Sequence, residues 1–79
     1  MRRLLRAKAE KIANQLSSWQ RVILACAAIG VNPAAVRITD RMVQSMVIRG
    51  LLAHKSNRYV LTETGRAVFD VLLERGRSE

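Results

Sequence analysis

A chain of 79 residues, 49% apolar and 25% charged, has the balance of one small folded domain and not of a disordered tract. That length leaves no room for a multidomain enzyme with a large buried substrate pocket. Fourteen Lys and Arg against six Asp and Glu give a net charge of +8, and a single cysteine excludes both an internal disulfide framework and a cysteine-based zinc site.

The charge is uneven. Residues 1–62 hold eleven Lys or Arg against Glu10 and Asp40, net +9. Residues 63–79 hold Arg66, Arg75 and Arg77 against Glu63, Asp70, Glu74 and Glu79, net −1. A basic body of this kind suits a polyanionic partner, most simply nucleic acid; solubility is the plainer use of the same charge. The longest apolar run, residues 22–31 with Gly30 inside it, is about half the roughly 20 residues of a spanning helix, so no membrane partner is expected. Met1 to Arg6 opens like a secretory signal, but the apolar stretch ends after Leu4 and Leu5, where a secretory core needs about 7–15 residues. A mitochondrial presequence would fit the arginines but fits Glu10 and the lysines less well. With one free thiol, a cytoplasmic location is the expectation.

The pattern predicts an amphipathic helix from Arg2 to Leu16, because Leu5, Ala9, Ile12 and Leu16 share one face while Arg3, Arg6, Lys8 and Lys11 lie elsewhere. Ser17 or Ser18 caps a second helix, Ser18 to Ile29. Trp19, Val22, Ile23, Cys26 and Ile29 give it helical spacing, and Leu24, Ala25, Ala27 and Ala28 make the rest of its circumference apolar. Such a helix is expected to be central and buried, with Trp19 as a core anchor. Gly30 stops it. Asn32-Pro33 signals a cap and first helical position, so Pro33 to Arg37 is predicted as a short helical turn. Thr39 caps a third helix, Asp40 to Arg49, ended by Gly50. Leu51-Leu52-Ala53 and Tyr59-Val60-Leu61 flank the polar His54 to Arg58, which predicts a hairpin. Thr62 caps a last helix, Glu63 to about Arg75, with Ala67, Val68, Val71 and Leu72 on one face and Gly76 as its stop.

The segment Asp40 to Leu52, with Gly50-Leu51-Leu52 at its end, is followed by Tyr59-Val60-Leu61-Thr62-Glu63-Thr64-Gly65-Arg66-Ala67. From Ser17 onward this order resembles the winged helix-turn-helix fold of bacterial and phage DNA-binding regulators. The marks are a helix leading into Gly-Leu, a basic wing, and a strand ending in Leu-Thr-x-x-Gly that opens a helix. They cover about two thirds of the chain. The resemblance implies a fold that is mainly α with a small β-hairpin: a winged helix-turn-helix at 17–79, preceded by an extra amphipathic helix at 1–16. It implies double-stranded DNA as partner, a recognition helix at about 40–49 in the major groove, and a wing at 54–58 on the backbone or in the minor groove. Gly65 would allow the last helix to approach its neighbours closely.

On a helical wheel, Val43, Met46, Val47 and Gly50 share the core side of the third helix. Arg41, Ser45 and Ile48 point away, with Gln44 and Arg49 on the flanks. Arg matches guanine and Gln matches adenine in the major groove. Arg41, Gln44 and Ser45 are therefore the expected base contacts, with Thr39 at the head of the helix and Arg37 and Arg49 on phosphate. In the wing, Lys55, Asn57 and Arg58 are the expected backbone or minor-groove contacts. Asp40 would repel phosphate or accept from a cytosine amine. Ile48 would touch a thymine methyl, pack under the first helix, or mark a protein-binding face. A competing register makes Ser18 to Ile29 the second helix of the motif and residues 33–49 one long recognition helix, adding Ala34 and Ala35 to the contact surface.

No nucleophilic triad, glycine-rich phosphate loop or paired carboxylates are present in the sequence, so an enzyme, a small-molecule substrate, a cofactor and a metal are not expected. Cys26 lies in an apolar face, and His54 is the only histidine. The function expected is a DNA-binding transcriptional regulator, with a homodimer through the N-terminal or C-terminal helix as a compatible assembly. The alternatives are a protein-interaction module on the same scaffold, favoured by Asp40 and Ile48, and an RNA-binding or architectural protein using charge alone.

Overall fold

The computed structural model of the chain describes residues 2–31, 37–56 and 58–78, and at residues 2, 3, 77 and 78 the backbone alone. Among these residues it is mainly helical, with one small hairpin. The elements are α1 (Arg2–Gln15), α2 (Ser18–Ile29), α3 (Asp40–Ile48), β1 (Leu52–Lys55), β2 (Arg58–Leu61) and α4 (Glu63–Ser78). No helix among the described residues is long and apolar enough to cross a membrane. The short helical turn expected after Asn32-Pro33 lies outside the described residues, as does Asn57.

Local hydrogen-bond chemistry sets the helix starts. Ser17 caps α2 in a reciprocal box: its hydroxyl accepts from the Gln20 N–H at 3.3 Å, and the Gln20 side chain accepts from the Ser17 N–H at 2.8 Å. Thr39 caps α3 by accepting from the Met42 N–H at 3.3 Å. Thr39 has φ −80° and ψ 157°, which is extended backbone. A single helix over residues 33–49 is therefore overturned, because the chain leaves helical geometry at the residue whose side chain caps α3.

The end of α3 is closed in the manner the glycine signals. Gly50 takes φ 79°, its N–H donates to the Val47 carbonyl at 2.9 Å, and the Leu51 N–H donates to the Met46 carbonyl at 3.1 Å. This pair of bonds satisfies the last carbonyls of α3 and turns Leu51 back under Met46; both side chains are fully buried. The hairpin then pairs Leu52 with Leu61, Ala53 with Val60, His54 with Tyr59 and Lys55 with Arg58.

One core holds all the helices. Ala9, Ala13 and Leu16 of the N-terminal segment join Ile23, Leu24, Val43, Met46, Leu51, Val68 and Val71 in a single buried cluster. The first helix packs chiefly on α4. Arg6 bonds across to Glu74 and along its own helix to Glu10 at 3.1 Å. Hydrogen bonds to Glu74 first, and to Glu10 second, hold the Arg6 guanidinium in its charged form and raise its pKa further. The segment 1–16 thus contributes to the core and ties one of its arginines to the acidic end of the chain.

Three expectations about packing are corrected. The helix α2 is not buried all round: Ile23, Leu24 and Cys26 face the core, but Ile29 is 71% exposed and Trp19, expected as an anchor, is 56% exposed. An apolar circumference marks what a helix can bury, while the neighbours α3, α4 and β2 cover one side of it. Ile48 does not pack under α1, since it is 84% exposed. Gly76 does not stop α4, which runs on to Ser78; Gly76 is not in the left-handed region, and a helical glycine costs only about 1 kcal/mol.

Candidate nucleic-acid interface

Burial of Val43 and Met46 fixes how α3 faces the rest of the molecule. The opposite side is open: Asp40, Arg41, Gln44 and Ile48 are exposed, and Arg49 is exposed at the C-cap. Arg41 forms no ion pair and no side-chain hydrogen bond among the described residues, so its guanidinium donors are free for a ligand. Arg37 is exposed one turn ahead of α3, with φ 62°, and the next residue, Ile38, is buried in the core. That geometry projects Arg37 outward from an anchored backbone.

Of the expected contact residues, Ser45 is partly committed within its own helix, and Arg58 leans toward α2. Ser45 is half-buried, and its hydroxyl donates to the Met42 carbonyl at 2.6 Å, which leaves only its lone pairs for a base. Arg58 stands beside the end of α2: its Nη2 lies 3.8 Å from where a Cβ on Gly30 would be. A helix C-terminus carries partial negative charge and suits a guanidinium. The register also places Arg58 directly opposite Lys55, and turning back toward Gly30 separates two like charges. Lys55 itself is exposed at the end of β1. The hairpin connection is two residues long, and Ser56 at φ 48° has the positive φ that tight hairpin turns require.

A contact that the sequence reading did not single out joins α3 to the hairpin. Gln44 Nε2 donates to the Tyr59 hydroxyl at 3.4 Å. The Tyr59 ring lies 4.9 Å from the His54 ring, tilted by 40°. The sequence pattern put His54 to Arg58 between strands at 51–53 and 59–61; the strands instead run on to Lys55 and start at Arg58, which pairs His54 with Tyr59 on one face of the ribbon. What the sequence does not specify is that this face turns toward Gln44.

The base of the hairpin is clamped to α4. The Thr62 N–H donates to the Leu51 carbonyl at 3.1 Å, and the Thr62 hydroxyl donates to the Gly50 carbonyl at 2.5 Å. That same hydroxyl accepts from the Gly65 N–H at 3.0 Å, capping α4. A Cβ on Gly65 would stand 2.0 Å from the Leu51 oxygen, so only glycine permits this approach. Helix α3, the hairpin and the start of α4 are therefore one interlocked unit.

The chemistry on offer is cationic and hydrogen-bonding. Among the described residues no group of three or more His, Cys, Asp or Glu comes together to hold a metal. Cys26 is a buried free thiol. Comparison of this chain with protein-family models, with curated proteins and with solved structures returns no match.

Proposed function

We propose that this chain is a winged helix-turn-helix protein that binds double-stranded DNA and regulates transcription, with α3 in the major groove and the β1–β2 hairpin as the wing. The observation that carries this reading is the open face of α3, where Arg41 has unengaged donors and Gln44 stands beside it, with Arg37 and Arg49 at the two ends. An α-helix fits the major groove, and Arg and Gln are the side chains that pair with guanine and adenine edges there. The +9 charge of residues 1–62 would supply the sequence-independent part of the affinity through phosphate contacts and counterion release.

The test is duplex binding by fluorescence anisotropy across a salt series, together with selection from a random-sequence pool. The expected result is an enriched motif and a steep salt slope. Arg41→Ala should then lose about 1–3 kcal/mol of discrimination at one base pair. Arg49→Ala should weaken all sequences alike and lower the salt slope by about 1. Salt-dependent binding with no enriched motif would point to charge alone. No binding at low salt would remove nucleic acid from the account.

A second reading, a protein-interaction module on the same scaffold, is favoured by Ile48, 84% exposed at the C-terminal end of that open face. Ile48→Ala separates the readings. It should weaken partner capture under the second and leave random-sequence DNA affinity within a few-fold under the first.

A further inference from the structure

Resting on the DNA reading above, we infer that Tyr59 is a positioning residue for Gln44 and that the two together select an A·T base pair. A glutamine amide carries two N–H donors and a carbonyl acceptor, and on an exposed helix face it samples several rotamers. Here one N–H is taken by the Tyr59 hydroxyl, across the gap between α3 and the hairpin. The other N–H and the carbonyl oxygen remain outward, side by side. Adenine presents an acceptor at N7 and a donor at N6 in the major groove, which is the complement of that pair. Guanine presents two acceptors and would leave the Gln44 oxygen facing another oxygen. Rotating the amide by half a turn, with Tyr59 now donating, would exchange the outward donor and acceptor and reverse their order against adenine. The contact therefore fixes the plane of the amide, and the arrangement in which Gln44 donates to Tyr59 is the one that meets adenine.

Tyr59 is suited to this task because it is itself held. It is half-buried against the core and faces the ring of His54, its cross-strand partner. Its hydroxyl is consequently a fixed point on the wing. The wing and the base-reading amide are coupled through one bond, so that seating the hairpin on the backbone also sets the geometry of Gln44.

The experiment uses Tyr59→Phe, which keeps the ring, its packing and its contact with His54 but removes the hydroxyl. Motif selection and anisotropy on the enriched duplex and on random-sequence DNA are measured for wild type, Tyr59→Phe, Gln44→Ala and the double variant. The expected result is that Tyr59→Phe lowers the preference for A·T at one position by about 2- to 12-fold, the reach of one ordinary hydrogen bond. Random-sequence affinity and the salt slope stay at wild-type values, which also reports an intact fold. In the Gln44→Ala background, Tyr59→Phe adds nothing. In the free protein, NMR should show the Gln44 side-chain N–H that meets Tyr59 exchanging with solvent more slowly in wild type than in Tyr59→Phe. Wild-type preference that survives Tyr59→Phe, or two losses that simply add, overturns this inference alone. A wild-type protein with no sequence preference overturns it together with the DNA reading.

Discussion

Two glycines in the same helix should respond to the same substitution with opposite signs. Gly65 lies in the first turn of α4, and a Cβ there would sit 2.0 Å from the Leu51 oxygen, 2.9 Å from its carbonyl carbon and 3.3 Å from its Cα. All three are backbone atoms, so no side chain can swing aside. Restoring ordinary contact requires the start of α4 to move by more than an ångström from the chain that links α3 to β1. That movement strains a packed junction, at about 1–3 kcal/mol. It also loosens the Thr62 cap, worth about 1 kcal/mol. The gain in helix propensity from Gly to Ala returns at most about 1 kcal/mol. Gly65→Ala should therefore cost about 1–3 kcal/mol, a fall in Tm of about 5–20 °C for a domain of this size. At Gly76 a Cβ meets nothing within 4 Å, and the residue lies inside α4. Gly76→Ala should gain up to about 1 kcal/mol. Thermal and urea unfolding followed by circular dichroism measures both. Two shifts of the same sign, or a Gly65→Ala protein as stable as wild type, would refute the close-approach argument.

Other consequences of the packing are as direct. Thr39→Ala should cost about 1 kcal/mol in urea unfolding, because it leaves the Met42 N–H without its side-chain acceptor. Trp19, at 56% exposure, should be quenched by acrylamide in the native protein nearly as well as in the unfolded chain, and strong native protection would show that something covers it. Deleting residues 1–16 removes Ala9, Ala13 and Leu16 from the common core and should abolish cooperative unfolding; a truncated chain that melts sharply would make the segment an appendage.

The parts of the fold that were legible in the sequence are those encoded within three or four residues. Ser17, Thr39 and Thr62 each announce a helix by a side-chain oxygen that reaches an N–H three residues on, and Gly30 and Gly50 announce helix ends by their left-handed conformations. The close approach at Gly65 was implied by the resemblance and not by local pattern, since the atoms it meets belong to Leu51. What local pattern does not carry is how much surface its neighbours supply. Trp19 and Ile29 have the spacing of core residues, yet the elements around α2 cover one of its sides. The site was legible as a face and not as a set of contacts. The wheel put Arg41, Ser45 and Ile48 outward and Gln44 on a flank; Arg41, Gln44 and Ile48 are exposed, while Ser45 is half-buried. The Ser45 bond to Met42, the return of Arg58 toward Gly30 and the link from Gln44 to Tyr59 depend on rotamers and on approaches across the fold.

The charge of the chain is segregated by these contacts, and Asp40 is where the segregation is incomplete. Arg6 is tied to Glu74 and Glu10, and Arg66 approaches Asp70 at 4.0 Å, so Asp70 and Glu74 of α4 are met by cations on that side of the molecule. On α3, Asp40 is the only acid, exposed at the helix start just beyond the Thr39 cap. There it favours the helix dipole by about 0.3–1 kcal/mol. The same carboxylate would oppose any phosphate brought to Arg37 and Arg41. Asp40→Asn should therefore lower stability slightly while raising affinity for every duplex, the more so at low salt, where screening is weakest. If Asp40 instead accepts from a cytosine amine, the substitution would shift the selected motif at one position and leave random-sequence affinity nearly unchanged. Anisotropy on both duplexes, read beside urea unfolding, distinguishes a helix-stabilising charge tolerated at the interface from one that reads a base. A loss of affinity for random-sequence DNA would contradict the placement of phosphate at this end of α3.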